Sequence, residues 1–124
     1  MTHSLPYEAL HEQRVQMTEN HHSTNDRDLD RDVLRAPIVL VKFTGAWCPP
    51  CNAVQPTLEA IERENPGVLV LSIDAENNPE STLRYGVRVL PTILAFHQGA
   101  LRSRLVGNQR KSLLLTLLQP SDAP

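Results

Sequence analysis

Three observations predict an α/β fold whose mixed central β-sheet carries helices on both faces. Apolar, β-branched runs alternate with stretches of helical period. A strand, helix, strand passage requires a parallel pair with a right-handed crossover, and the last two strands are joined by a turn so short that they must be antiparallel. The 124 residues, 40% apolar and 21% charged, suit one ordinary globular unit.

Residues 1–25 read as an N-terminal extension, partly flexible, and residues 26–124 as the packed domain. Four of the five histidines, His3, His11, His21 and His22, fall in the extension. No Cys or carboxylate stands near them at ligand spacing, so solvated histidines are expected rather than a metal site. A weak helical pattern runs from Pro6 to Met17, and Val15 to Thr18 has the character of a short edge strand. Asp26 to Arg35 is expected to be helical, capped by Asn25 or Asp26, with Leu29, Val33 and Leu34 on one face and a stop before Pro37.

Ile38 to Thr44 is an almost unbroken apolar run, the pattern of a strand covered on both faces. Pro49 to about Glu64 reads as a helix through Val54, Leu58 and Ile61, closing at Asn65-Pro-Gly67. Val68 to Ile73 is a second buried strand. Asn78 followed by Pro79 marks a helix start, and Gly86 marks its stop. Thr92 to His97 and Leu101 to Val106 are strands joined by the Gln98-Gly99 turn. Arg110 to Leu118 is a leucine-rich closing helix, too short to span a membrane and expected to pack on the sheet.

Charge and cysteine content exclude several function classes. Twelve basic against fourteen acidic residues give a net charge of −2, with ten Arg, two Lys and no block of either sign. Nucleic acid and an anionic membrane surface are therefore not expected partners. No run approaches the roughly 18 apolar residues of a membrane span, and the start lacks a basic then apolar leader, so a cytoplasmic protein is expected. The two cysteines, Cys48 and Cys51, allow at most one internal disulfide. A scaffold stapled by several bridges is excluded, and two thiols without histidines at zinc spacing do not complete a structural metal site. The five glycines contain no phosphate-binding fingerprint, so no bound dinucleotide is expected.

Trp47-Cys-Pro-Pro-Cys51 lies between the most apolar strand and the most regular helix. A C-x-x-C pair at a helix start sets the first sulfur over unpaired backbone N–H groups and the positive end of the helix dipole, which favours its thiolate. The thiolate is the attacking species in disulfide exchange. Cys48 is thus the candidate nucleophile, and Cys51, one turn later, the resolving thiol. Two inert buried cysteines would not need this placement.

These residues resemble the thioredoxin family. The match comprises Phe43-Thr-Gly-Ala-Trp-Cys-Pro-Pro-Cys51, Pro56 within the helix, Asp74, Tyr85-Gly86-Val87, Val89-Leu-Pro-Thr92, Phe96 with Gly99, and Val106-Gly107. It runs from about residue 26 to 118 with the landmarks in family order. The resemblance implies a thioredoxin fold, a cis-proline at Pro91 facing the disulfide, and active-site support from Trp47, Pro49 and Pro50. It also implies a client-binding surface formed by Trp47, Pro49, Leu90, Pro91, Val106 and Gly107. The expected activity is reduction of protein disulfides by a monomer with no bound cofactor. Expected partners are disulfide-containing client proteins and a flavin- and NADPH-dependent thioredoxin reductase. A dedicated donor or isomerase for one client, and an interaction module with incidental redox chemistry, are the competing readings.

The chain departs from the family at three places. Where the family usually buries an aspartate before the active site, this chain has Lys42, and Val70 is matched to the aspartate's usual lysine partner. A protonated Lys42 about 6 Å from Cys51, at an effective dielectric near 20, would favour the Cys51 thiolate by roughly 2.8 kcal/mol, or about 2 pKa units. A desolvated Lys42 would instead be a neutral amine able to act as base; the plain alternative is an ammonium that snorkels to water. Pro49 stands where glycine is usual, removing a donor and stiffening the turn. Thr44 and Asn52 replace a frequent aromatic and a frequent basic residue.

Overall fold

The computed structural model describes residues 22–120, so the expected helix at Pro6–Met17 and strand at Val15–Thr18 lie outside the described residues. Its strands are β1 (Ile38–Thr44), β2 (Val68–Asp74), β3 (Thr92–His97) and β4 (Ala100–Val106). Helices are α1 (Leu29–Asp32), α2 (Pro49–Glu64), α3 (Pro79–Arg84) and α4 (Lys111–Leu114), the last continued by a 3-10 turn at Leu115–Leu118.

The sheet order is β2-β1-β3-β4. β1 and β2 are parallel, while β1–β3 and β3–β4 are antiparallel. The crossover through α2 requires the first relation, and the Gln98-Gly99 turn the last. Gln98 and Gly99 both adopt positive φ, 52° and 82°, which matches the twist of a tight hairpin. The chain joins the sheet ahead of residue 26: Ser72 donates its N–H to the His22 carbonyl at 3.0 Å, and Thr24 donates to the Ser72 carbonyl at 2.9 Å.

Alternation along β1 divides the core in two. Val39, Val41 and Phe43 lie with Leu69, Leu71, Ile73, Leu94 and Phe96 beneath Leu29, Val33 and Val87. Leu40 points the other way, with Val70, Ile93 and Ala95, under Val54, Leu58 and Ile61 of α2 and Leu114 and Leu117 at the C-terminal end. Five central β1 residues are buried, as a strand covered on both faces demands. Lys42 belongs by alternation to the α2 face, at the end of β1 nearest the cysteines.

Two expected helices are shorter than their sequence pattern. The segment from Asp26 to Arg35 forms turns around the four-residue α1, and Leu34 is 67% exposed rather than on the apolar face. Asn25 caps this segment, its side-chain oxygen accepting the Asp28 N–H at 2.9 Å. Asp26 instead serves α3: its carboxylate accepts the N–H groups of Ser81 at 2.8 Å and Glu80 at 3.1 Å. Asn78, the expected cap of α3, makes no side-chain cap bond to that helix and accepts the Asp26 N–H at 2.8 Å. At the C-terminus Leu114 and Leu117 are both buried. Their spacing of three suits the tighter 3-10 winding that replaces the end of the expected helix.

Candidate active site

Cys48 is the N-cap of α2, followed by Pro49 and Pro50 inside the first turn. Proline has no backbone N–H and its fixed φ suits a helix start. The two prolines therefore remove two of the first turn's donors, leaving the N–H of Cys51, which points at Cys48 Sγ over 3.3 Å. The two sulfurs form a disulfide with Cα atoms 5.2 Å apart.

The two cysteines occupy different surroundings. Cys48 retains 8% exposure and Cys51 none. Cys48 opens on a groove lined by Trp47, Glu76, Val87, Arg88 and Leu90. A second hollow, lined by Trp47, Cys48, Pro49, Asn52 and Ala53, shares Trp47 and Cys48 with the first. Trp47 borders both at 97% exposure, a large apolar surface that packing inside the chain does not use.

The other expected residues are gathered less uniformly. Leu90–Pro91 is a cis peptide bond, Pro91 is buried, and its carbonyl accepts the Gly107 N–H at 2.8 Å. Val106, 42% exposed, pairs with Thr92 across the β3–β4 ladder. Pro91, Val106 and Gly107 are thus linked to one another, while Trp47 and Leu90 line the groove beside Cys48. Glu76 and Arg88 were not singled out from the sequence. Arg88 fills the gap between Tyr85-Gly86-Val87 and Val89-Leu-Pro-Thr92, so its position between two landmarks was the available signal.

Lys42 is 5% exposed. Its Nζ donates to the Cys51 carbonyl oxygen at 3.3 Å and makes a short hydrogen bond to Gln55 Oε1; Gln55 in turn donates to Glu59 Oε2 at 3.1 Å. Burial pushes the Lys42 pKa below its ordinary value, and the Glu59 carboxylate partly restores it. The ammonium therefore has protein acceptors rather than the purely aqueous end of a snorkelling chain. In the strand register Lys42 lies beside Ser72, and Val70 lies beside Leu40. The uncharged hydroxyl of Ser72 leaves no cross-strand ion pair at Lys42.

Among the described residues no cluster of three or more His, Cys, Asp or Glu side chains could hold a metal ion. None of their helices is long and apolar enough to cross a membrane.

Comparison with known proteins agrees with this arrangement. The thioredoxin family model matches residues 20–119. Thioredoxin from Rickettsia conorii is 35% identical over 98 residues, covering 77% of this chain and 93% of its own. Thioredoxin from Pseudomonas aeruginosa is 34% identical over 104 residues, covering 82% and 96%. A variant thioredoxin from Halobacterium salinarum superposes with a TM-score of 0.70 at 30% identity, over 77% of this chain and 84% of that one. With a disulfide-forming cysteine pair at a helix mouth and this likeness over most of its length, the chain belongs to the thioredoxin family of thiol-disulfide oxidoreductases.

Proposed function

We propose that the protein reduces disulfides in client proteins, with Cys48 attacking, Cys51 resolving, and a flavin- and NADPH-dependent thioredoxin reductase restoring the dithiol. The observation that carries the order of events is the contrast between Cys48, 8% exposed beside a groove, and Cys51, fully buried behind it. A client sulfur can approach only the first.

In the reduced protein the Cys48 thiolate attacks one sulfur of a client disulfide. The client S–S bond breaks, its other sulfur leaves as a thiolate, and a Cys48–client disulfide forms. Cys51, as thiolate, then attacks Cys48 Sγ and expels the second client thiolate. Two electrons pass to the client, two protons complete its thiols, and the protein keeps the Cys48–Cys51 disulfide. Trp47, Leu90, Pro91, Val106 and Gly107 form the client surface in this reading, with Pro49, Pro50 and Lys42 supporting the site. The unit acts as a monomer in the reducing cytoplasm, its thioredoxin-like domain preceded by the N-terminal extension.

Reduction of a model protein disulfide, driven by dithiothreitol or a thioredoxin reductase system, tests the proposal. Cys48→Ser should abolish turnover, and Cys51→Ser should accumulate the client as a mixed disulfide on Cys48. Turnover that survives Cys48→Ser would overturn the assignment. The almost fully exposed Trp47 favours one second reading, an interaction module. Client binding that persists in Cys48→Ser, from a wild type without turnover, would select it.

A further inference from the structure

The least expected side chain near the disulfide is a lysine almost without solvent exposure. A lone buried ammonium is costly unless its hydrogens find acceptors. Lys42 has two, the Cys51 carbonyl and Gln55 Oε1, and the second is oriented by Glu59 at the solvent edge of α2. Gln55 and Glu59 are one helical turn apart on one face, and Cys51 is one turn before Gln55. The three therefore form a single line along α2, with the β1 lysine reaching its first two members.

We infer that Lys42 is a positioning residue for the resolving half-reaction: its ammonium, clamped between the Cys51 carbonyl and Gln55, favours the thiolate of Cys51. The inference rests on the exchange order given above and deepens it. In the mixed-disulfide state Cys51 loses its proton to water. Its thiolate attacks Cys48 Sγ, the Cys48–client bond breaks, and the client thiolate leaves with the bonding pair. Lys42 keeps its proton throughout. No atom or electron is transferred to it; it acts by charge and by holding the Cys51 end of the helix.

The charges around Lys42 leave this role to it. Its register neighbours on the flanking strands are Ser72 and Ile93, and neither titrates near neutral pH. Of the titratable residues on α2, Cys51 meets Lys42 through its carbonyl and Glu59 acts on it through its carboxylate, while Glu62, Arg63 and Glu64 lie farther toward the helix C-terminus. From the C-terminal helix, Lys111 is occupied with Glu64 at 2.7 Å, at the opposite end of α2. Burial lowers the Lys42 pKa, and the Glu59 carboxylate counters part of that effect.

Two-step stopped-flow kinetics test the inference. With a symmetrical aromatic disulfide in excess, the first thiolate released reports attack by Cys48 and the second reports closure of Cys51 on Cys48. For Lys42→Met the pH midpoint of the second step should rise by about 1–2 units. Its rate at neutral pH should fall about tenfold, because the scarcer thiolate is intrinsically more nucleophilic. Lys42→Arg, which keeps a charge that does not titrate, should hold the midpoint near that of the wild type. Glu59→Gln, at an exposed position that does not endanger folding, should move the midpoint slightly downward by removing an opposing charge.

A second-step profile unchanged in Lys42→Met overturns the inference. So does a Lys42→Arg profile displaced like that of Met, which would assign Lys42 the role of a neutral base. An upward shift in Glu59→Gln does the same. A wild type that never releases the second thiolate refutes the exchange order itself, which separates the two failures.

Discussion

The backbone N–H of Cys51 is directed at the sulfur of Cys48, 3.3 Å away. Because Pro49 and Pro50 contribute no N–H, this is the donor the first turn of α2 offers to the attacking sulfur. A thiolate at Cys48 is stabilised by this hydrogen bond and the helix dipole, but by fewer donors than a glycine in the dipeptide would permit.

Pro49→Gly should accordingly make the protein a weaker reductant. The substitution restores a donor near Cys48 and loosens the turn, so it stabilises the reduced form, with Cys48 as thiolate, and makes ring closure less favourable. A hydrogen-bond change of about 0.5–1.5 kcal/mol corresponds to a potential on the order of 10–30 mV more oxidising. Equilibration with glutathione, followed by separation of the two redox forms, reads this directly. A more reducing variant would contradict the role assigned to Pro49.

Trp47 should matter to protein clients and not to the fold. At 97% exposure it makes little contribution to the core, yet it flanks both hollows beside Cys48. Burying part of an indole against a client is worth about 1–2 kcal/mol. Trp47→Ala should lower kcat/KM for a protein disulfide roughly tenfold and leave the thermal midpoint unchanged. Its reaction with a small aromatic disulfide should be nearly that of the wild type. Equal losses with both substrates would assign Trp47 to the chemistry of Cys48 rather than to client contact.

The site was legible where it depended on local spacing and illegible where it depended on register. Cys48, Cys51 and the period of Val54, Leu58 and Ile61 locate a helix mouth without any knowledge of tertiary contacts. Lys42 was visible as a departure, but its acceptors were not. Gln55 and Glu59 become its neighbours only when α2 lies across β1, and Ser72 comes beside it only through the β1–β2 register. Asp26 shows the same limit. Its sequence position suggests a cap for the segment that follows, whereas its carboxylate reaches Ser81, 55 residues away.

That long-range cap has a pH signature. Partial desolvation raises the Asp26 pKa, but the hydrogen bonds from Ser81 and Glu80 outweigh it, so the carboxyl lies below its usual 3.8. A depressed carboxyl pKa gives stability that is present above the unfolded value and lost as pH falls through the folded one. Asp26→Ala should therefore lower the thermal midpoint by a few degrees at neutral pH. The gap from the wild type should close as the pH drops below about 3.8. A gap that stays constant on acidification would show that the loss is one of packing rather than of the ionised cap.

Lys42 should cost stability in the same form that helps the resolving step. Its folded pKa lies below the 10.5 of a free lysine, with burial as the larger cause and Glu59 opposing it. In the window between those two values the unfolded chain binds more protons, so stability rises with pH there. Below the folded pKa both states carry the charge and the full burial penalty applies. Above 10.5 both are neutral and the penalty is gone. Methionine fills a similar volume without a charge, at the expense of the bonds to Cys51 and Gln55. Because Lys42 is 5% exposed, removing its charge should outweigh those two bonds, and Lys42→Met should raise the thermal midpoint of the oxidised protein by a few degrees at pH 7. The gain over the wild type should shrink as pH climbs toward 10.5. A variant that is less stable at pH 7, by an amount independent of pH, would mean that the hydrogen bonds of Lys42 outweigh its desolvation. A more stable variant that also closes its disulfide more slowly would show that the buried charge is kept for the reaction and not for the fold.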